Sequence, residues 1–253
     1  MRNILLTLKY DGTNYHGWQI QPNAITVQQV LQQAVKLIVK DTDNIIGCSR
    51  TDSGVHANMY CCNFKTESEI ETEKLKDALN ANIPDDIAVV SAVEVADDFH
   101  SRYDCKEKEY IYRIWNSAVI NPFEYKYTLQ YKYPLDEKLL DKASKAFLGE
   151  HDFKGFCSVG STVESTVRTV FDSQVTRQGD MVTFKVSANG FLYNMVRIMA
   201  GTLLYVAQGK IKAEDLPDII KSGERERAGI TAAPQGLFLN KVVYQDGRVK
   251  DGR

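Results

Sequence analysis

Long apolar runs are missing from this sequence. No stretch approaches the roughly 20 residues that cross a bilayer, so no membrane-spanning segment is expected. Cysteine is scarce. There are five, Cys48, Cys61, Cys62, Cys105 and Cys157, an odd count with no CxxC pair. That argues against a disulfide framework and against a structural zinc site. The four histidines, His16, His56, His100 and His151, are scattered without an HExxH, so no metal ligand set is expected. No small-residue cleavage site follows the opening MRNILLTLKYDG, which enters an alternating pattern at once; the expectation is no signal peptide and a cytoplasmic protein. An excess of positive charge is also missing. Net charge is -2 and the pI is about 6.1, which on bulk charge alone argues weakly against a polyanionic partner. A local basic patch can still coexist with acidic surface elsewhere.

What remains is an ordinary globular composition. The 253 residues are 43% hydrophobic and 25% charged, enough for one large domain or two small ones. Residues 3–10, NILLTLKY, alternate as a strand and end at Asp11-Gly12. TNYHGWQIQPNAIT has no clear period and reads as loop. Thr26 reads as an N-cap for a helix to about Lys40 whose apolar side is Val27, Val30, Leu31, Ala34 and Ile38. A short strand spans about Asn44 to Cys48, and a longer one Met59 to Phe64. Thr72 is expected to cap a helix to about Asn82, ended by Pro84; Ile87 to Val95 is a further strand. The order β-α-β-β-α-β is the split βαβ, ferredoxin-like pattern, whose antiparallel sheet carries both helices on one face and leaves the other open to a ligand.

The second half repeats that order. Glu109 to Trp115 reads as a strand. Asp136 opens a helix with Leu139, Leu140, Ala143 and Phe147 on its apolar side. Val167 to Thr176 and Met181 to Ser187 are strands joined at Gln178-Gly179-Asp180. Met195, Ile198, Met199, Thr202, Leu203 and Val206 mark a helix, Ala213 to Ser222 a short one, and Leu237 to Tyr244 a closing strand. The expected fold class is therefore α+β, with two ferredoxin-like (βαββαβ) halves, residues 1–104 and 105–253, whose antiparallel sheets join edge to edge. A polar tail from Gln245 is expected to fray.

The stretch with the densest chemistry is GCSRTDSGVHA, Gly47 to Ala57. It sets Arg50, Thr51, Asp52, Ser53, Gly54 and His56 between strand-like runs, as a tight loop. A plain reading is a solvated turn in which Asp52 bonds its own backbone. Tyr110, in KEYIYRIW, shares a strand face with Tyr112 and Ile114; it serves as core packing or as a ring for stacking on a base. Arg197 falls in the first turn of a predicted helix, where the helix dipole favours anions, so it needs a compensating partner. That partner is either a surface carboxylate or Asp52. AAPQGLFL, Ala232 to Leu239, is a proline-containing entry to a strand.

Together these segments resemble the TruA family of tRNA pseudouridine synthases. KYDGTNYHGWQIQPN, GCSRTDSGVHA, FHSRYDCKEKEYIYRIW, HDFKGFCSVGS, GFLYNMVRIMAG and AAPQGLFL match that family in order and at compatible spacing, over nearly the whole chain. The resemblance implies a cofactor-free isomerase, with no required metal, that converts uridine to pseudouridine in the anticodon stem-loop of tRNA, at positions 38, 39 and 40. It implies a homodimer, tRNA as the partner, and a duplicated α+β fold with the active cleft between the halves. It assigns Asp52 as the catalytic aspartate, Arg50 as the arginine that helps hold the base out, Tyr110 as the ring that stacks on the target uracil, and Arg197 as the arginine that pairs with the aspartate. The sequence departs from the family pattern at Cys48 and Ser49, at Ser53 where alanine is common, at Asn194 where a histidine often stands, and at Ala207-Gln208-Gly209. None of these touches the four named residues. Two other classes stay open. Asp52-Ser53-Gly54 matches the D-[ST]-G of aspartic proteases, but no second copy is present and the expected helices contradict an all-β fold. A catalytically silent RNA-binding protein of the same fold would not require Asp52.

Overall fold

The computed structural model describes residues 1–41, 44–160 and 163–245. Ser161 of the HDFKGFCSVGS segment and the expected tail beyond Gln245 lie outside the described residues. The chain divides into two compact units. One holds Met1–Glu107 and the chain from Leu239, and the other holds Lys108–Phe238.

The first unit contains β1 (Arg2–Tyr10), α1 (Val27–Val39), β2 (Ile46–Gly47), β3 (His56–Thr66), α2 (Thr72–Asn80) and β4 (Ile87–Val95). Its strands are antiparallel in the order β4-β1-β3, with the two-residue β2 on β3. Alternation explains the register. Ile4, Leu6 and Leu8 face Phe64, Cys62 and Tyr60 across the ladder, and all six are buried. Each buried isoleucine, leucine or phenylalanine among them contributes about 1.5–3 kcal/mol of burial free energy. α2 lies on β4 and packs against α1.

The opposite sheet face, expected to be open, is roofed over its middle. Asn3 donates from Nδ2 to the carbonyls of Ala96 (3.0 Å) and Phe99 (2.9 Å), and Asn63 Oδ1 accepts from the N–H (2.9 Å) and Oγ (2.7 Å) of Ser101. Tyr244 closes this roof with its hydroxyl on the Ser101 carbonyl at 2.9 Å. Asparagines on a strand face can be buried only when their amides are satisfied in this way.

Thr26 caps α1 as expected, its hydroxyl accepting from Gln29 N at 3.3 Å. Thr72 does not cap α2. It is the first helical residue, behind Glu71, which makes no side-chain cap bond. The helix also stops at Asn80, short of Asn82, because the Asn80 side chain turns to β4, bonding Val89 N at 2.8 Å and Val89 O at 2.9 Å.

The second unit begins within β5 (Cys105–Trp115), whose first residues count with the first unit. It contains β6 (Leu129–Gln130), α3 (Glu137–Ser144), β7 (Gly149–Asp152), β8 (Val167–Gln178), β9 (Met181–Ala188), α4 (Met195–Ala207), α5 (Leu216–Ser222) and the start of β10 (Leu237–Tyr244). The sheet runs β5-β9-β8-β7, antiparallel, with β6 beside β5 in parallel. α3 is shorter than its apolar spacing suggests. Leu140 and Ala143 are buried, Leu139 is exposed, and Phe147 reaches the core from a separate 3-10 turn, Lys145–Phe147. α4 is apolar around most of its circumference and buried accordingly.

Candidate active site

The loop that carries Arg50 and Asp52 leaves β2 and re-enters at β3. It is held by the segment after β1, which has no periodicity because its job is to wrap. Trp18 N donates to the Thr51 carbonyl at 3.1 Å, and the Tyr10 and Thr51 hydroxyls are 2.8 Å apart. Gly54 N (3.1 Å) and Ser53 Oγ (3.4 Å) both donate to the Tyr15 carbonyl. Thr51 is thus pinned through main chain and side chain, and it is 7% exposed. Its neighbours differ: Arg50 is exposed and Asp52 half-buried. Val55 N donates to the Asp52 carbonyl oxygen at 3.1 Å, which closes the turn through main chain.

Two glycines make this wrapping possible. Gly17 sits at φ +81, and a Cβ there would come within 2.3 Å of the Thr51 carbonyl oxygen. At Gly47 a Cβ would meet the Tyr60 hydroxyl at 2.2 Å and Trp18 Nε1 at 2.5 Å. Tyr60 is the post beneath the loop: its ring stacks on Trp18 at 4.1 Å and its hydroxyl donates to the Ser49 carbonyl. Burial, with Cys48 and Tyr10 adding to it, keeps that hydroxyl protonated far above the ordinary tyrosine range. Fully buried His56 ties the loop's end to the turn after β1, its Nδ1 lying 3.0 Å from Gly12 N and 3.1 Å from Asp11 Oδ1. Tyr15 fixes the wrap from outside through a 2.5 Å bond to Asp86 Oδ1. Sequence reasoning left Gly17, Trp18 and Tyr60 out. The available signal was aromatic and glycine residues crowded into a polar stretch without a period.

Tyr110 and Arg197 stand in the second unit. Tyr110 lies opposite Val186, is 5% exposed, and meets Phe191 edge-on at 5.1 Å. Tyr112 is fully buried and donates to the Ala233 carbonyl at 2.7 Å. Burial lifts its hydroxyl above the ordinary tyrosine range, with the charge of Arg197 pulling the other way. Arg197 sits in the first turn of α4. Its Nε donates to the Ala232 carbonyl at 2.7 Å, Ala232 N donates back to the Arg197 carbonyl at 3.1 Å, and its Nη1 donates to Asn194 Oδ1 at 2.7 Å. The AAPQG segment is therefore a brace that grips β5 through Tyr112 and α4 through Arg197. The sequence marked it only as a proline-containing entry to a strand and as one of the six segments of the resemblance.

Among the described residues no group of three or more His, Cys, Asp or Glu could hold a metal ion, and no helix is long and apolar enough to cross a membrane. Burial pushes the Cys61 thiol up to about 12 and Cys62 well above its usual range, so neither is a thiolate nucleophile.

A family model described as tRNA pseudouridine synthase matches residues 7–104 and 143–245. Arg50, Asp52 and Arg197 fall inside those ranges and Tyr110 between them. Over 244 residues the chain is 50% identical to "tRNA pseudouridine synthase A" of Thermoanaerobacter sp. (strain X514), covering 96% of this chain and all of that protein. At the same coverage it is 49% identical to the protein of that name from Caldicellulosiruptor saccharolyticus and 48% identical to "tRNA pseudouridine synthase A 2" of Clostridium perfringens.

Proposed function

The chain belongs to the tRNA pseudouridine synthase family, isomerases of uridine in tRNA, and from that premise we propose that it acts on the anticodon stem-loop, at positions 38, 39 and 40, with Asp52 as the nucleophile on a flipped-out base. The observation that carries this reading is the construction of the Asp52 loop. Thr51 is locked from two sides, so its two charged neighbours are presented from a fixed backbone. A reacting carboxylate needs that preorganisation.

The chemistry balances within the substrate. The N1–C1′ bond breaks, the uracil turns, C5 bonds to C1′, the C5 proton leaves and N1 gains one. No electrons enter or leave, and no cofactor is called for. Flipping the nucleotide out costs a few kcal/mol, and stacking on an aromatic ring returns about 1–3 kcal/mol. Tyr110 is the ring assigned to that stacking, and its hydroxyl is the group assigned to take the C5 proton. Arg50 keeps the base out of the helix. Arg197 supplies the positive charge that favours the ionised aspartate.

Two features support a duplicated ferredoxin-like reading of residues 1–104 and 105–253. The first unit has the order β4-β1-β3-β2, and the second unit has β5-β9-β8 with α3 between β5 and β8 and a direct β8–β9 hairpin. A cytoplasmic homodimer completes the proposal.

The test is positional. Transcripts carrying uridine at only one of positions 38, 39 or 40 are incubated with the protein, and pseudouridine is mapped by primer-extension stops after carbodiimide treatment. Product at these positions and at no other uridine of the transcript is expected. Product confined to other parts of the tRNA contradicts the proposal.

A further inference from the structure

We infer that Asn194 is a positioning residue that orients Arg197, and that it does so through a bridge to Ser158. The inference rests on the role proposed above for Arg197. Asn194 stands directly before α4 at φ 62 and ψ 8, a left-handed conformation that asparagine tolerates and most residues do not. An asparagine next to a helix start ordinarily turns its side chain onto the first free N–H groups of that helix. Here it makes no cap bond. Its Oδ1 accepts from Arg197 Nη1 at 2.7 Å, and its Nδ2 donates to Ser158 Oγ at 2.9 Å. Ser158 N in turn donates to the Tyr193 carbonyl at 3.1 Å, so the serine grips the turn twice.

The guanidinium is planar and its donors have a fixed geometry. Nε on the Ala232 carbonyl and Nη1 on Asn194 are two separate acceptors, and together they define its plane. Both acceptors are neutral. The amide's orientation is fixed by Arg197: a guanidinium offers only donors, so the oxygen must face it and the nitrogen is left to donate to Ser158.

Glycine at 194 separates the side chain from the backbone, because glycine keeps the left-handed conformation without strain. The test measures tritium release from C5-labelled tRNA in single turnover, the tRNA concentration at half-maximal rate, and the melting temperature. The variants are Asn194→Gly, Ser158→Ala, Arg197→Ala and the Asn194→Gly/Arg197→Ala pair. Asn194→Gly should melt within about 3 °C of the parent, react about tenfold or more slowly, and keep its half-saturation within about twofold. Ser158→Ala should slow the reaction in the same sense by a smaller factor at unchanged melting temperature. In the Arg197→Ala background the Asn194→Gly change should have no further effect, because a residue acting only through Arg197 is not additive with its loss. Additive slowing in the pair overturns the inference. So do Asn194→Gly and Ser158→Ala at parental rate while Arg197→Ala is impaired; that outcome leaves the role of Arg197 standing. Parental rate in Arg197→Ala removes the role of Arg197 itself, and with it the inference.

Discussion

Tyr110 is 5% exposed and edge-on to Phe191, so replacing its ring tests packing and stacking on substrate together. Phenylalanine keeps the ring and deletes the hydroxyl; leucine deletes both. With the hydroxyl as proton acceptor, Tyr110→Phe should melt like the parent and slow single turnover by about 10²-fold, the usual scale of a general base. Tyr110→Leu should be slower still. A leucine variant whose rate falls only in proportion to its unfolded fraction makes Tyr110 a core residue. Gly17 tests the cradle instead of the chemistry. An added methyl group at φ +81, 2.3 Å from the Thr51 carbonyl, must push the loop away. Gly17→Ala should lose about 1–3 kcal/mol in chemical denaturation and lose activity beyond that, because the displaced carbonyl is adjacent to Asp52. An activity that returns to the parental value once the unfolded fraction is subtracted contradicts the cradle. The four residues were assigned through the motifs that surround them. Gly17, Trp18 and Tyr60 were not, because a wrapping segment has no period and its contacts are long-range.

At the scale of elements, alternation located β4 and β10 to the residue, and the turn at Gln178-Gly179-Asp180 stands where its residues suggested. β6 and β7 went unread because two and four residues are too few to show a period. The helix ends were misread at α2 and α3, where Asn80 and Phe147 are drawn away by tertiary partners. One such partnership carries a pH signature. Asp141 on α3 accepts from Val175 N of β8 and from Lys145 Nζ, each at 2.9 Å. Burial alone would raise its carboxyl, but these bonds outweigh it and hold the carboxyl below the ordinary aspartate value. A depressed carboxylate contributes stability that is fully present above the unfolded value of about 3.9 and lost as pH falls through the folded one. The melting temperature of the parent should therefore fall on acidification below about pH 4 more steeply than that of Asp141→Asn. Parallel curves for the two proteins contradict this role for Asp141.

At the scale of the molecule, net charge pointed weakly away from a polyanion, whereas six short segments in order pointed to tRNA; the family match decides for the segments. Bulk charge misleads here because a binding surface needs only a local excess of cations. Three of the segments have a structural counterpart. The opening one cradles the Asp52 loop, the AAPQG one braces Tyr112 and Arg197, and the one before α4 holds Arg197 through Asn194. The first of these constructions holds the loop that carries Asp52, and the central proposal rests on that carboxylate. The most direct test is tritium release from tRNA labelled at uridine C5, with the parent and Asp52→Asn side by side and tRNA affinity measured on both. Asparagine keeps the shape and removes the charge and the nucleophile. Release should fall to background in the variant while its affinity for tRNA stays within about tenfold, or roughly 1.4 kcal/mol. Release at the parental rate from Asp52→Asn contradicts the account.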